Sequence, residues 1–435
     1  MDFTEHLQPE LVDMILSYLS PNELSVFSKC SVMWREVSNK DNLWLHHCMV
    51  RGWLRFGLSG ELSTENHLNI QMNVAGNSPV FHLYVPEDSR LSSLCKWKNI
   101  FIRVKHLHQN WRKGRYTVSP MLKGHTEKVT AFACNGRCVV TGSEDKSLRM
   151  WDMSTASCLR KMDGHMDTIT KIIWKGNTII TSCADSSIRV IDSNELKILF
   201  SLQGHSGSVD HLALVGKVLV SAATDRTVRL WYLPERKLIH ILRGHEDEIE
   251  CMCSHGQHVV TGSWDNTLAL WDIEHAEIAH MYEGHSEAVT CCWYNGEKIV
   301  SGSADSDVRI WQISPPKCLH IMQGHQGEVY CLTATNSVIA SGSSDSTVKV
   351  WGFDGRCRHT LQGHLGVVRC LHICNERLVS GGDQKKVIIW DYRKGEQMNI
   401  VHRHPSLLHQ MWVSETKLIT ASPERPGTVS VISYW

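Results

Sequence analysis

The chain has 435 residues, 16 of them cysteine, and its 45 Lys and Arg are balanced by 45 Asp and Glu for a formal net charge of zero. That length accommodates more than one folded part, and the neutral balance gives no electrostatic support to a general nucleic-acid or membrane-surface role. No apolar run reaches membrane-span length, the start Met1-Asp2-Phe3-Thr4-Glu5 lacks secretory character, and the cysteines lack disulfide spacing, so a reducing compartment, cytoplasm or nucleus, is expected.

Within a first domain spanning 1–50, residues 7–50 read as a compact helical cluster. Leu11, Val12, Ile15, Leu16 and Leu19 fall on one helical face. Ser20-Pro21-Asn22-Glu23 is a capping box, with the hydroxyl at the N-cap and Glu three residues on. The next helices carry Leu24, Val26 and Phe27, then Val32, Trp34 and Val37, and Asp41 is placed to cap a last helix containing Leu43-Trp44. So short a piece cannot bury its own apolar surface well, and such pieces dock on something. The strings Leu7-Gln8-Pro9-Glu10-Leu11 and Ile15-Leu16-Ser17-Tyr18-Leu19, followed by Trp34 and Asn42-Leu43-Trp44, resemble the F-box, apart from Gln8 standing between Leu7 and Pro9. The resemblance implies that Leu7, Pro9, Leu11, Ile15, Leu16, Leu24, Trp34, Leu43 and Trp44 grip a Skp-type adaptor, and through it a cullin and its RING subunit.

Residues 51–114 read as a linker. Positions 57–90 are polar, with Gly57, Gly60, Gly76, Pro79 and Pro86, and suggest a loop insert. Leu94, Trp97, Phe101, Val104 and Trp111 then follow helical spacing and predict an amphipathic helix.

From 115 to 435 the chain repeats. Gly-His pairs end at His125, His165, His205, His245, His285, His325 and His364, six steps of 40, 40, 40, 40, 40 and 39 residues. A tryptophan follows 26 residues later in six units (Trp151, Trp231, Trp271, Trp311, Trp351, Trp390), with Ile191 in the second. Between them lie an aspartate (Asp145, Asp185, Asp225, Asp265, Asp305, Asp345) and a hydroxyl (Thr141, Thr181, Ser221, Thr261, Ser301, Ser341, Ser380). Alternating apolar stretches such as Thr347-Val348-Lys349-Val350-Trp351 predict about four short strands per period. Asp, His, Ser/Thr and Trp can close one hydrogen-bond chain, which a buried carboxylate and imidazole require. Sets such as His125, Thr141, Asp145, Trp151 and His245, Thr261, Asp265, Trp271 therefore read as structural tetrads, since a catalytic array occurs once and not seven times.

These residues, with Trp151-Asp152, Trp271-Asp272 and Trp390-Asp391, resemble the WD-repeat β-propeller. A weaker eighth copy begins at Arg403-His404, with Thr420 as its hydroxyl and an alternating run from Thr428 to Ile432. The expected fold is an all-β propeller of eight blades, closed by an outer strand at 116–122, with seven blades the alternative. In that family ligands meet the face near the Gly-His loops. Five residues after each histidine stand Thr130, Thr170, Asp210, Glu250, Thr290, Tyr330 and Arg369, and before the aspartates Glu144, Ala184, Thr224, Trp264, Ala304 and Ser344. Asp210, Glu246, Asp247, Glu248, Glu250, Glu287 and Glu328 suggest an acidic half, and Arg369, Lys385, Lys386, Arg403 and Arg425 a basic half, with Trp264 and Tyr330 as anchors. That pattern fits a target segment bearing both signs better than a doubly phosphorylated one, although a phosphorylated target stays open.

Cys251, Cys253 and His255, on one face of a strand with His258 nearby, are a candidate zinc set, but Cys251, Cys291, Cys331 and Cys370 share one repeat slot with Ala131, which favours core packing; no metal or cofactor is expected. F-box and WD repeats in one chain resemble the non-catalytic substrate receptors of SCF-type ubiquitin ligases. The alternative is a WD-repeat scaffold acting outside a ubiquitin ligase.

Overall fold

The computed structural model describes residues 7–54, 56, 95–383, 386–401, 408, 410–421 and 425–435. The predicted insert 57–90, Leu94, Lys385 and the Arg403-His404 start of the eighth copy lie outside these residues, as does the side chain of Pro9. Two compact units divide between Asn110 and Trp111.

The first unit has helices α1 (Pro9–Ser17), α2 (Pro21–Phe27), α3 (Val32–Ser38) and α4 (Asp41–Val50), followed by α5 (Lys96–Lys113), which runs past the division. The Ser20 capping box forms: Ser20 Oγ accepts from the Glu23 N–H at 3.3 Å, and Glu23 Oε2 accepts from the Ser20 N–H at 2.6 Å. Asp41 departs from expectation. It is the first residue of α4, and its carboxylate accepts the Trp97 N–H at 3.0 Å, so it satisfies an orphan donor in the first turn of α5. Val12, Leu16, Leu24, Leu43, Trp44 and Phe101 form the core, with the Trp44 and Phe101 rings 5.2 Å apart and the Trp44 indole N–H donating to the Ser38 carbonyl at 2.7 Å. No helix among the described residues is long and apolar enough to cross a membrane.

The second unit is an eight-bladed propeller. Blade 1 consists of Val129–Cys134, Cys138–Ser143, Ser147–Asp152 and Ser157–Asp163, paired antiparallel in chain order. The arrangement repeats through blade 7, which ends at Glu396–Val401. Blade 8 joins the two ends of the chain: Gln410–Val413, Lys417–Ala421 and Thr428–Ser433 are completed by Thr117–Val118 and Leu122–Lys123, both antiparallel to Thr428–Ser433. The single outer strand expected at 116–122 is thus two short pieces. Pro120 interrupts them because it has no N–H to donate to the ladder. Pairing the first segment with the last covers what would otherwise be an open sheet edge. Across the closure, Gln410 Nε2 donates to the Thr130 carbonyl at 2.7 Å and Gln410 Oε1 accepts the Phe132 N–H at 3.3 Å.

Apolar side chains between blades supply most of the stability. One cluster joins Val220, Leu230 and Leu242 of blade 3 to Ile249, Val259 and Trp271 of blade 4. Trp111 is fully buried against Tyr434 with ring centroids 3.6 Å apart, and its indole donates to the Glu415 carbonyl at 2.7 Å.

Candidate functional site

Each complete tetrad lies within one blade. In blade 1 the Trp151 indole N–H donates to Thr141 Oγ1 at 2.8 Å, Thr141 Oγ1 is 2.7 Å from His125 Nε2, and His125 Nδ1 is 2.8 Å from Asp145 Oδ2. An indole can only donate and a carboxylate only accept, so the direction of the whole chain is fixed, with Nδ1 carrying the proton. His205, His245, His285 and His325 close the same chains at 2.7–2.8 Å, Thr261 lying between His245 and Trp271 and His245 on Asp265. Burial lowers the affinity of His125, His205 and His325 for a second proton, only partly offset by their aspartates. Burial alone would raise the carboxyls, but hydrogen bonds outweigh it and hold Asp225, Asp305 and Asp345 at about 2. The histidines, hydroxyls and tryptophans of these sets are buried and bonded to one another. The sets fasten the turn after each aspartate, where Asp145 Oδ1 accepts the Ser147 N–H at 2.9 Å while Lys146 takes a left-handed φ of 67°. The glycine before each histidine has its own reason: Gly204 sits at φ 155°, and a Cβ there would lie 2.7 Å from an Arg229 guanidinium nitrogen.

The loops carrying these histidines and aspartates form the candidate ligand face. Its side chains pair across a blade at a spacing of 14 residues. The Trp264 indole donates to Glu250 Oε2 at 2.9 Å, and Arg369 Nε donates to Asp383 Oδ1 at 2.5 Å. Trp264 remains 56% exposed. Asp210 is half-buried, accepts from the Ser208 hydroxyl at 2.7 Å, and is pushed up by burial. Tyr330 packs under the Arg369 guanidinium, 5.3 Å from ring centroid to carbon. Thr130, Thr170 and Thr290 turn their hydroxyls back onto neighbouring protein atoms.

The basic half expected from sequence is altered. Arg369 is tied to Asp383 and Arg425 to Glu127, with Glu144 3.9 Å away, so both guanidiniums are already neutralised; Lys385 and Arg403 are outside the described residues. Asp383 carries no mark in the sequence, because the seventh repeat lacks the tetrad aspartate and has Gln384 in its place. The spacing of Trp264 from Glu250, carried to Arg369, identifies it. The acidic half persists: Glu246, Glu248, Glu250, Glu287 and Glu328 are exposed and form no ion pair among the described residues.

Seven of the nine candidate adaptor-binding residues separate into two groups. Leu7, Leu11 (45% exposed) and Ile15 (43%) face outward, while Leu16, Leu24, Leu43 and Trp44 are buried and hold the helices together. Trp34 is half-buried, stacked on Phe27 at 4.2 Å, and both line a groove with Leu19, Asn22, Val26 and Cys30. Met14, Tyr18, Val26 and Val32 extend the outward apolar surface, which reading one helical face had not separated from the core. The candidate zinc set does not converge: Cys251 Sγ is directed at the Val289 carbonyl at 3.9 Å, Cys253 Sγ lies 3.3 Å from Cys292 Sγ, and the His255 ring packs on Tyr294 at 5.8 Å.

Seven segments (116–152, 156–192, 196–232, 236–272, 276–312, 316–352 and 355–391) match the family described as WD domain, G-beta repeat. Residues 5–46 match the F-box domain. An F-box protein of Saccharomyces cerevisiae is 28% identical over 165 residues, covering 37% of this chain and 25% of the yeast protein. A probable E3 ubiquitin ligase complex SCF subunit, sconB, of Arthroderma benhamiae is 25% identical over 170 residues, covering 37% and 25%. The match thus spans about a quarter of the length of these relatives. The crystal structure of the computationally designed Ika8 protein superposes with a TM-score of 0.68 at 29% identity, over 72% of this chain and 98% of the designed one.

Proposed function

Because this chain belongs to the WD40-repeat family and carries an F-box ahead of its repeats, we propose that it is a substrate-receptor subunit of an SCF-type ubiquitin ligase. The helical unit binds a Skp-type adaptor, which brings a cullin and a RING subunit, and the propeller holds the target protein. The observation that carries this reading is the apolar surface of the helical unit. Leu11, Met14, Ile15, Val26 and Val32 stay exposed on a piece that has its own packed core, and so many outward apolar side chains need a partner. The relatives named as F-box protein and as SCF subunit support the same assignment.

The receptor does no chemistry itself. Bound target is held near the transferring subunits, which raises the effective concentration of its acceptor lysines. Unpaired carboxylates beside an exposed Trp264 favour a target segment rich in Lys or Arg, with an apolar or cationic side chain laid on the indole.

Affinity capture from cells tests the assignment. The wild-type chain should co-purify adaptor and cullin, whereas Leu11→Ala/Ile15→Ala should lose both and accumulate bound target. Capture of neither adaptor nor cullin by the wild type would leave the scaffold reading.

A further inference from the structure

Blade 2 is the one blade with a complete histidine, hydroxyl and aspartate but no tryptophan, Ile191 standing in its place. The consequence reaches across the tetrad. His165 Nε2 still lies 2.9 Å from Thr181 Oγ1, but no indole N–H feeds that hydroxyl, so Thr181 is free to accept from Nε2–H. His165 Nδ1 then presents a lone pair. It has no hydrogen-bond partner although His165 is only 4% exposed. Asp185, which would take an N–H there, keeps its other bonds: Oδ2 accepts from the Met166 N–H at 3.0 Å and Oδ1 from the Ser187 N–H at 2.9 Å. His165 Nδ1 is thus a buried nitrogen without a hydrogen-bond partner beside the Asp185 carboxylate, and with Nε2 protonated its lone pair is available to a cation.

The third wall is Cys183, fully buried, where blades 1, 4, 5 and 6 have Ser143, Ser263, Ser303 and Ser343. Ligand atoms of His165, Cys183 and Asp185 all lie within 4.8 Å of one another, and among the described residues this is the one such cluster.

We propose that blade 2 binds a divalent cation of the zinc class through His165 Nδ1, the Cys183 thiolate and the Asp185 carboxylate, with water as the fourth ligand. Imidazole, thiolate and carboxylate together are zinc's donor set, and ligand bonds of roughly 2.0–2.3 Å require the three atoms to draw together by less than about 1.5 Å. Charge is balanced: Cys183 gives up its proton on binding, and thiolate plus carboxylate neutralise the dication. The nearby Arg189, 4.0 Å from Asp185 Oδ2, is no obstacle peculiar to this blade, since Arg229 stands 3.6 Å from Asp225 in the ordinary blade 3.

The full chain, stripped with chelator and titrated with Co²⁺, tests this. Wild type should bind one equivalent with a thiolate-to-cobalt charge-transfer band, reversed by Zn²⁺. Cys183→Ser installs the residue of four other blades, so it should fold, lose that band and bind about 100-fold more weakly. Ile191→Trp supplies the missing indole donor and should restore the imidazole–carboxylate bond, weakening the metal about tenfold with Cys183 intact. Absence of the band in wild type, its persistence in Cys183→Ser, or unchanged affinity in Ile191→Trp would each overturn the proposal.

Discussion

One substitution made at two equivalent places should have opposite effects. In blade 4, Thr261 Oγ1 is fully buried, 2.7 Å from His245 Nε2, and accepts the Trp271 indole N–H at 2.8 Å. Thr261→Val keeps the shape and removes the hydroxyl, orphaning a buried donor and a buried acceptor. At roughly 1–3 kcal/mol per orphaned group, the loss is about 2–6 kcal/mol. In blade 8 the equivalent Thr420 is also fully buried, but its Oγ1 has no hydrogen-bond partner among the described residues. Thr420→Val removes an unsatisfied polar atom and should be neutral or stabilising by about 1 kcal/mol. Urea unfolding of the full chain, followed by tryptophan fluorescence, measures both. Equal destabilisation by the two variants would refute the claim that the tetrads act through satisfied internal bonds.

Acid should weaken the propeller from both of its ionisable partners. Burial lowers His364 from 6.5 to about 4, so it favours the neutral folded form; the stability it contributes is complete above 6.5 and falls away as pH drops toward 4. Asp225, Asp305 and Asp345, held at about 2, contribute a second loss below about 4, and urea midpoints across pH 7 to 3 should decline in these two stages. Trp264→Ala should change stability by less than about 0.5 kcal/mol, because the ring is mostly exposed, while weakening binding of Lys/Arg-rich peptides on an array about tenfold. Asp383→Asn frees the Arg369 guanidinium and should strengthen phosphopeptide binding about fivefold by fluorescence anisotropy; no gain would mean that Arg369 does not reach ligand.

The propeller was legible because a period of 40 states each structural rule many times. The tetrads, the strands and the closure of eight blades follow from position alone, and even the gap at Ile191 is visible in the sequence. What that gap does to His165 is not visible, since it depends on which nitrogen of a buried ring keeps a proton. The helical unit offered no repetition. Leu11 and Leu16 satisfy the same periodicity, and only the packing of the helices decides that one faces solvent and the other the core. Charge on the ligand face is hidden for a similar reason: Arg369 and Asp383 stand 14 residues apart, and their pairing requires the turn that brings them together.

Direct binding of the purified full chain to a purified Skp-type adaptor, by isothermal titration calorimetry, tests the receptor assignment most directly. The account predicts a one-to-one complex that Leu11→Ala/Ile15→Ala weakens by at least about 30-fold, near 2 kcal/mol, while the propeller's urea midpoint stays unchanged. Absence of binding by the wild-type chain, or full affinity in the double variant, would contradict it.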